Sequence, residues 1–176
     1  YLPVPSSALF HAHWVRLSEQ WNAEHELVDA LRVDPLMPEM LHRHLASGEC
    51  GINRHLPHAV AVLVGEGRLD RGRVGAVVIE QLSATQRVSS MRVLANIVPT
   101  LDLRAEEVPG RLPYLVGVLS TAHASIAKVV LPLAIDLVGS EDELGDLART
   151  VSGRPEKALR QRLRKELVPK RLGARL

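Results

Sequence analysis

Apolar residues along this chain recur at steps of three and four, the spacing that lines one face of a helix. Phe10, Trp14, Leu17 and Trp21 form the first such stripe, with Ser6 or Ser7 placed to cap it. Leu27, Val28 and Leu31 continue or follow it. Asp34-Pro35 reads as a helix start, because proline is tolerated in a first turn, and Met37, Met40, Leu41 and Leu45 are the face that this helix should bury. Gly48 and Gly51 flank a turn. Leu56, Val60, Leu63 and Val64 make the next stripe, closed by Gly65 and Gly67. Asp70 can cap a helix holding Val74, Val77, Val78 and Leu82. Ser83-Ala-Thr-Gln86 has capping-box spacing ahead of Val88, Met91, Leu94, Ala95 and Val98, and Pro99 is expected to stop that helix.

The second half repeats the pattern. Leu112, Leu115, Val116 and Leu119 follow Pro109 and Pro113, which predicts a helix that starts late or kinks. Ile126, Val129, Val130, Leu133 and Leu137 form another, with Pro132 inside it and Gly139 just past its end. Ser140-Glu-Asp-Glu143 is a second capping box, leading to Leu144, Leu147 and Val151. Arg154-Pro155 opens a last helix striped by Leu159, Leu163 and Leu167. No Asn-Gly or Asp-Gly hairpin signal separates alternating runs, which argues against a sheet. Val-rich helices go against propensity, but burial overrides so weak a preference.

Short connections make successive helices antiparallel neighbours. Laying Val88 on Ile126 also lays Met91 on Val129, Ala95 on Leu133 and Ile97 on Ile135, an offset near the period of HEAT and armadillo repeats. The expected fold is therefore all-α: a right-handed α-solenoid of antiparallel helix pairs, HEAT/ARM-like, with roughly eight to ten helices. One helical-repeat domain would cover 1–176, with N-terminal helices in 1–33, helix pairs in 34–151 and a basic helix and tail in 152–176.

Several short motifs carry a resemblance. Gly67-Arg-Leu-Asp-Arg71, Val98-Pro-Thr-Leu101, Glu106-Glu-Val108 and Leu119-Ser-Thr-Ala-His-Ala-Ser-Ile-Ala127 look like an uncharacterised bacterial family of large proteins with HEAT-like helical repeats, found mainly in high-GC genomes. The resemblance covers roughly residues 34 to 167. It implies an α-solenoid and brings no activity and no catalytic residues with it.

Composition narrows the function classes. Of 176 residues, 46% are hydrophobic and 24% charged, which fits one globular domain or a stretch of repeats and argues against disorder. Four of the five aromatics, Tyr1, Phe10, Trp14 and Trp21, precede residue 22, so the core must be aliphatic. The aromatic stripe is read as core rather than as a docking surface. Cys50 stands alone and cannot form an internal disulfide, so a cytoplasmic location is expected. The most apolar run, Ile126 to Val138, is interrupted by Lys128 and Asp136 and is too short to span a bilayer. No signal peptide is readable, and a chain that opens on Tyr, with its first Met at 37, reads as a piece of a longer protein.

Charge is unevenly placed. Residues 149–176 hold ten basic residues (Arg149, Arg154, Lys157, Arg160, Arg162, Arg164, Lys165, Lys170, Arg171 and Arg175) against Glu156 and Glu166, a net of +8, while the other 148 residues carry −6. On the last helix Lys157, Arg160 and Arg164 should share an outward strip able to meet carboxylates or phosphates. Its plainer reading is the polar outer face of a solenoid end. Arg154, Lys157, Arg160, Arg164 and Lys165 are the candidate partner-binding residues.

Seven of the eight histidines precede residue 59. His42, Cys50, His55 and His58 are candidate zinc ligands by residue type, but their spacing fits no established zinc class, and solvated or capping histidines are the preferred reading. His11 and His13, like His42 and His44, are two apart and point to different sides of a helix. Glu24 beside His25, and Ser120-Thr121 near His123, are the only nucleophile–base pairs worth naming. Gly65-x-Gly67 lacks the strand and helix start of a phosphate loop and reads as a turn.

The expected function is a non-enzymatic helical scaffold that binds a protein partner, without cofactor or metal and away from membranes. The alternatives are nucleic-acid binding through the basic C-terminal helix, and an enzyme or zinc protein.

Overall fold

The structure is a computed structural model and describes residues 7–19, 24–50 and 53–173. Among these residues are ten α-helices: α1 (Ala8–Glu19), α2 (Glu24–Val33), α3 (Met37–Ser47), α4 (Leu56–Gly65), α5 (Arg71–Ala84), α6 (Val88–Thr100), α7 (Leu112–Thr121), α8 (Ala124–Asp136), α9 (Glu141–Ser152) and α10 (Lys157–Gly173). A 3₁₀ turn, Ala105–Glu107, precedes α7. Among the described residues there is no strand. None of these helices is long and apolar enough to cross a membrane.

Local chemistry accounts for most helix starts. Pro38, Pro57 and Pro113 sit in the first turns of α3, α4 and α7, where the missing N–H has no intrahelical acceptor anyway. Pro113 therefore starts α7 and does not kink it. The Asp70 side chain accepts the Arg73 N–H at 2.6 Å and caps α5. Ser140 and Glu143 form the full capping box of α9, with the Glu143 N–H on Ser140 Oγ at 3.2 Å and the Ser140 N–H on Glu143 Oε2 at 3.1 Å. Replacing Ser140 by Ala is expected to lower stability by about 1 kcal/mol, read as an earlier urea midpoint at unchanged slope.

Three boundaries differ from the pattern-based reading. The third helix starts at Met37, and Asp34 lies in the turn before it, where Oδ1 accepts the Leu36 N–H at 2.8 Å. Ser83 is in the last turn of α5, because the fully buried Leu82 carries that helix to Ala84, and Arg87 begins α6 with no side-chain cap. The last helix begins at Lys157, two residues after Pro155. Pro99 and Pro132 both lie within helices. At Pro132 the missing N–H releases the carbonyl of Lys128, and Arg162 Nη1 donates to it at 3.2 Å.

Contacts divide the chain into two compact units, Tyr1–Asp102 and Leu103–Leu176. In the first, α1 packs on α3 and α3 on α5, while α2 packs on α4 and α4 on α6; α5 also packs on α6. In the second, α7 packs on α9 and α8 on α10, with α7 against α8 and α9 against α10. The stripes anticipated from spacing form the cores: Met37, Met40, Leu41 and Leu45 in the first unit, and Leu115, Leu119, Ile126, Val130 and Leu147 in the second, are essentially fully buried. Trp14 is buried as well, and its indole N–H donates to Asp34 Oδ2 at 2.6 Å. Val88 departs from the pattern at 46% exposed, and several stripe residues, among them Val64, Val116, Val129, Leu137 and Leu144, are only half-buried. Trp21, Ser6 and Gly51 lie outside the described residues.

Candidate functional site

Helix α10 is fixed by Leu159 and Leu163, whose buried side chains face α8 and α9. That anchoring turns Lys157, Arg164 and Lys165 outward, where all three are exposed. None of the three makes an ion pair or hydrogen bond with its side chain among the described residues. Like charges set this close on one face repel, and an incoming anion relieves that repulsion.

The other anticipated cations have different positions. Arg154 does not belong to the exposed strip. It is 9% exposed, its guanidinium donates to the carbonyls of Leu119 and of Ala122 (2.8 Å) at the end of α7, and it pairs with Glu156 at 2.8 Å. It acts as a C-terminal cap for α7, which leaves no donor fork turned to a partner. The carboxyl of Glu156 is held below its usual range by this Arg154 bond. Arg160 is half-buried and donates to the Arg154 carbonyl. Arg162 pairs with Glu166 at 2.7 Å. Lys128 on α8 is a further exposed cation beside α10, since Arg162 reaches its carbonyl. Spacing alone could not place it there, as it stands in the sequence as an interruption of an apolar run. Arg149 pairs with Asp146. The side chains of Lys170 and Arg171, and all of Arg175, lie outside the described residues.

The histidine-rich part does not gather into a three-ligand site. Among the described residues no three of His, Cys, Asp and Glu come together to hold a metal ion. His42 is half-buried; its pKa is lowered first by burial and then by Arg73, partly offset by Glu39. Cys50 is fully buried, and burial pushes its thiol up to about 12, so it stays protonated and is a poor metal ligand. Its Sγ lies 3.9 Å from the His44 carbonyl. His55 Nε2 accepts from Arg54 Nε at 3.3 Å. His58 lines a groove of about 320 Å³ between α2 and α4 with His25, Val28, Asp29, Arg32 and Val62. Arg32 in that groove already donates to Glu66 (Nε–Oε1 3.0 Å) and to Asp29 (2.8 Å).

The nucleophile–base candidates have structural roles. Ser120 and Thr121 donate back to the Gly117 carbonyl at 2.7 and 3.2 Å, as hydroxyls in a last helical turn do. His123 caps α8, accepting the Ser125 N–H at 3.3 Å. His25 is exposed, and the Glu24 side chain lies outside the described residues. One contact had no signal in the spacing: His11 on α1 meets His44 on α3, with ring centroids 6.1 Å apart.

No protein-family model matches the chain, and no curated protein and no solved structure matches it.

Proposed function

We propose that each unit is a stretch of right-handed α-solenoid built from antiparallel helix pairs, HEAT/ARM-like in packing, and that the chain is a non-enzymatic scaffold whose α10 face receives an acidic segment of a protein partner. The packing of odd helices on odd and even on even supports the repeat reading, because stacked pairs give two layers in that order. The motif resemblance to HEAT-like proteins points the same way. The binding reading is carried by one observation: Lys157, Arg164 and Lys165 are exposed on one face with no ion pair among the described residues, the neighbouring Glu156 and Glu166 being taken by Arg154 and Arg162. Such a face attracts carboxylates through charge-assisted hydrogen bonds and long-range steering.

Nucleic acid is the second reading, because the same cations suit backbone phosphates. The full chain is to be titrated with a fluorescent Asp/Glu-rich peptide and with a random-sequence DNA duplex, at low and at physiological salt. The scaffold reading expects tighter binding to the peptide, weakened at least about tenfold when Lys157, Arg164 and Lys165 are all changed to Glu. Tighter binding to DNA with a steep salt dependence favours the second reading. Binding of both probes that the triple variant leaves unchanged removes α10 as the contact.

A further inference from the structure

The α1–α3 contact holds two imidazoles that no hydrogen bond explains. The rings of His11 and His44 lie 6.1 Å apart between centroids, with their planes at 54°. His44 is 3% exposed. Its Nδ1 and the Nε2 of His11 are both buried, and neither has a hydrogen-bond partner. Taking a ring nitrogen out of water without a new partner is unfavourable, and here it happens twice in one contact. A direct N–H···N bond between the rings would bring their centres to about 5 Å, nearer than they are.

Two other properties of the contact bear on what it could hold. Burial keeps the His44 pKa down at about 4, so at neutral pH the ring is uncharged and keeps a lone pair on one of its nitrogens. Among the described residues no carboxylate acts on His44 to balance a doubly charged ion. Met40 lies one turn before His44 on the same face of α3, and Met37 falls in the same stripe; both are fully buried. Imidazole nitrogen with thioether nearby is a soft donor set.

We propose that His11 and His44 form a two-coordinate site for a soft monovalent cation, cuprous or silver ion, held between α1 and α3. With metal–nitrogen distances of about 2 Å, two imidazoles on a collinear ion have centres about 6 Å apart, whereas a tetrahedral angle draws them to about 5 Å. The observed spacing matches the collinear case. A single positive charge is far less costly to bury than a double one, because the desolvation cost grows with the square of the charge. The ion would satisfy both orphaned nitrogens and clamp α1 to α3.

The test uses the full chain carrying Cys50→Ala, so that the thiol does not compete, titrated with silver nitrate in chloride-free buffer. Histidine side-chain nitrogen NMR reads the site directly. Shifts of His11 Nε2 and His44 Nδ1 saturating at about one equivalent support the site. His11→Ala should then weaken that first binding step at least about tenfold, while His13→Ala, an exposed neighbour on α1, leaves it unchanged. Should His11→Ala lose helical dichroism, the nitrogen shifts of the parent protein decide alone. A first equivalent that spreads over His25, His55 and His58, or no binding, overturns the proposal.

Discussion

Lowering the pH from neutral to about 4 is expected to remove about 3 kcal/mol of stability from the first unit through His44 alone. The folded chain keeps this ring neutral, because burial, with a smaller contribution from His11, depresses its pKa from 6.5 to about 4. The unfolded chain takes up the proton below 6.5, so in that window the unfolded state binds more protons than the folded one. Stability is therefore complete above 6.5 and is lost as the pH falls toward 4, below which both states are protonated and the loss stops. Urea unfolding followed by tryptophan fluorescence reads this unit, since the buried Trp14 belongs to it and no tryptophan follows residue 21 in the sequence. His44→Leu should flatten the dependence between pH 6.5 and 4 and, by removing an orphaned nitrogen, raise stability at low pH. A parent and variant with parallel pH profiles would show that His44 is not the group that titrates. The lowered pKa of His42 acts in the same direction, and the difference between parent and His44→Leu isolates His44 from it.

The second large effect is expected at Arg154. Its guanidinium meets the carbonyls of Leu119 and Ala122 across more than thirty residues of sequence, in a buried position, and ties the segment before α10 to the end of α7. Arg154→Met keeps much of the apolar stem and removes the donors. Glu156, half-buried, can turn to water, so most of the loss falls on the two carbonyls, about 3 kcal/mol in all. Arg154→Lys should recover less than half, because a single ammonium cannot reproduce the planar fork that reaches both carbonyls and the carboxylate. Far-ultraviolet dichroism during thermal unfolding follows the helices of both units, and the part of the transition not shared by tryptophan fluorescence reads the second unit, which has no tryptophan. A Met variant within about 0.5 kcal/mol of the parent would mean that water replaces the guanidinium at these carbonyls.

The same residue shows where sequence reasoning goes astray. By type and position Arg154 belongs with Lys157, Arg160 and Arg164, a run of cations near the chain end. What sets it apart is the open C-terminus of α7, which needs donors and which no local pattern around residue 154 announces. Arg71 does the same for α6, donating to the carbonyls of Leu101 and Asp102 at 2.5 and 2.8 Å. Half-buried Arg160 and paired Arg162 follow the same logic, so the free charge on α10 is smaller than a count of its Lys and Arg implies. Lys128 offsets part of that reduction from a different helix.

The helices themselves were legible. Spacing fixed which faces of α3, α5, α6, α8 and α9 are buried, and the caps at Asp70 and Ser140 fixed the starts of α5 and α9. These are local decisions: a helical period, a missing N–H or a side-chain oxygen three residues from its donor acts within one turn of chain. Starts at Met37 and Lys157 were missed by a few residues, since Asp-Pro and Arg-Pro are equally at home in the turn before a helix.

Sequence alone thus determined that this chain is helical, that its core is aliphatic and that its positive charge collects at one end. Tertiary structure decided which cations remain exposed, which become struts, and that His11 meets His44. The reason is distance along the chain: His11 and His44 are joined only because α1 lies on α3, and Arg154 finds Leu119 only because α7 packs on α9. Such meetings are set by how whole helix faces match, and the residues that meet carry no mark of it in their own neighbourhoods.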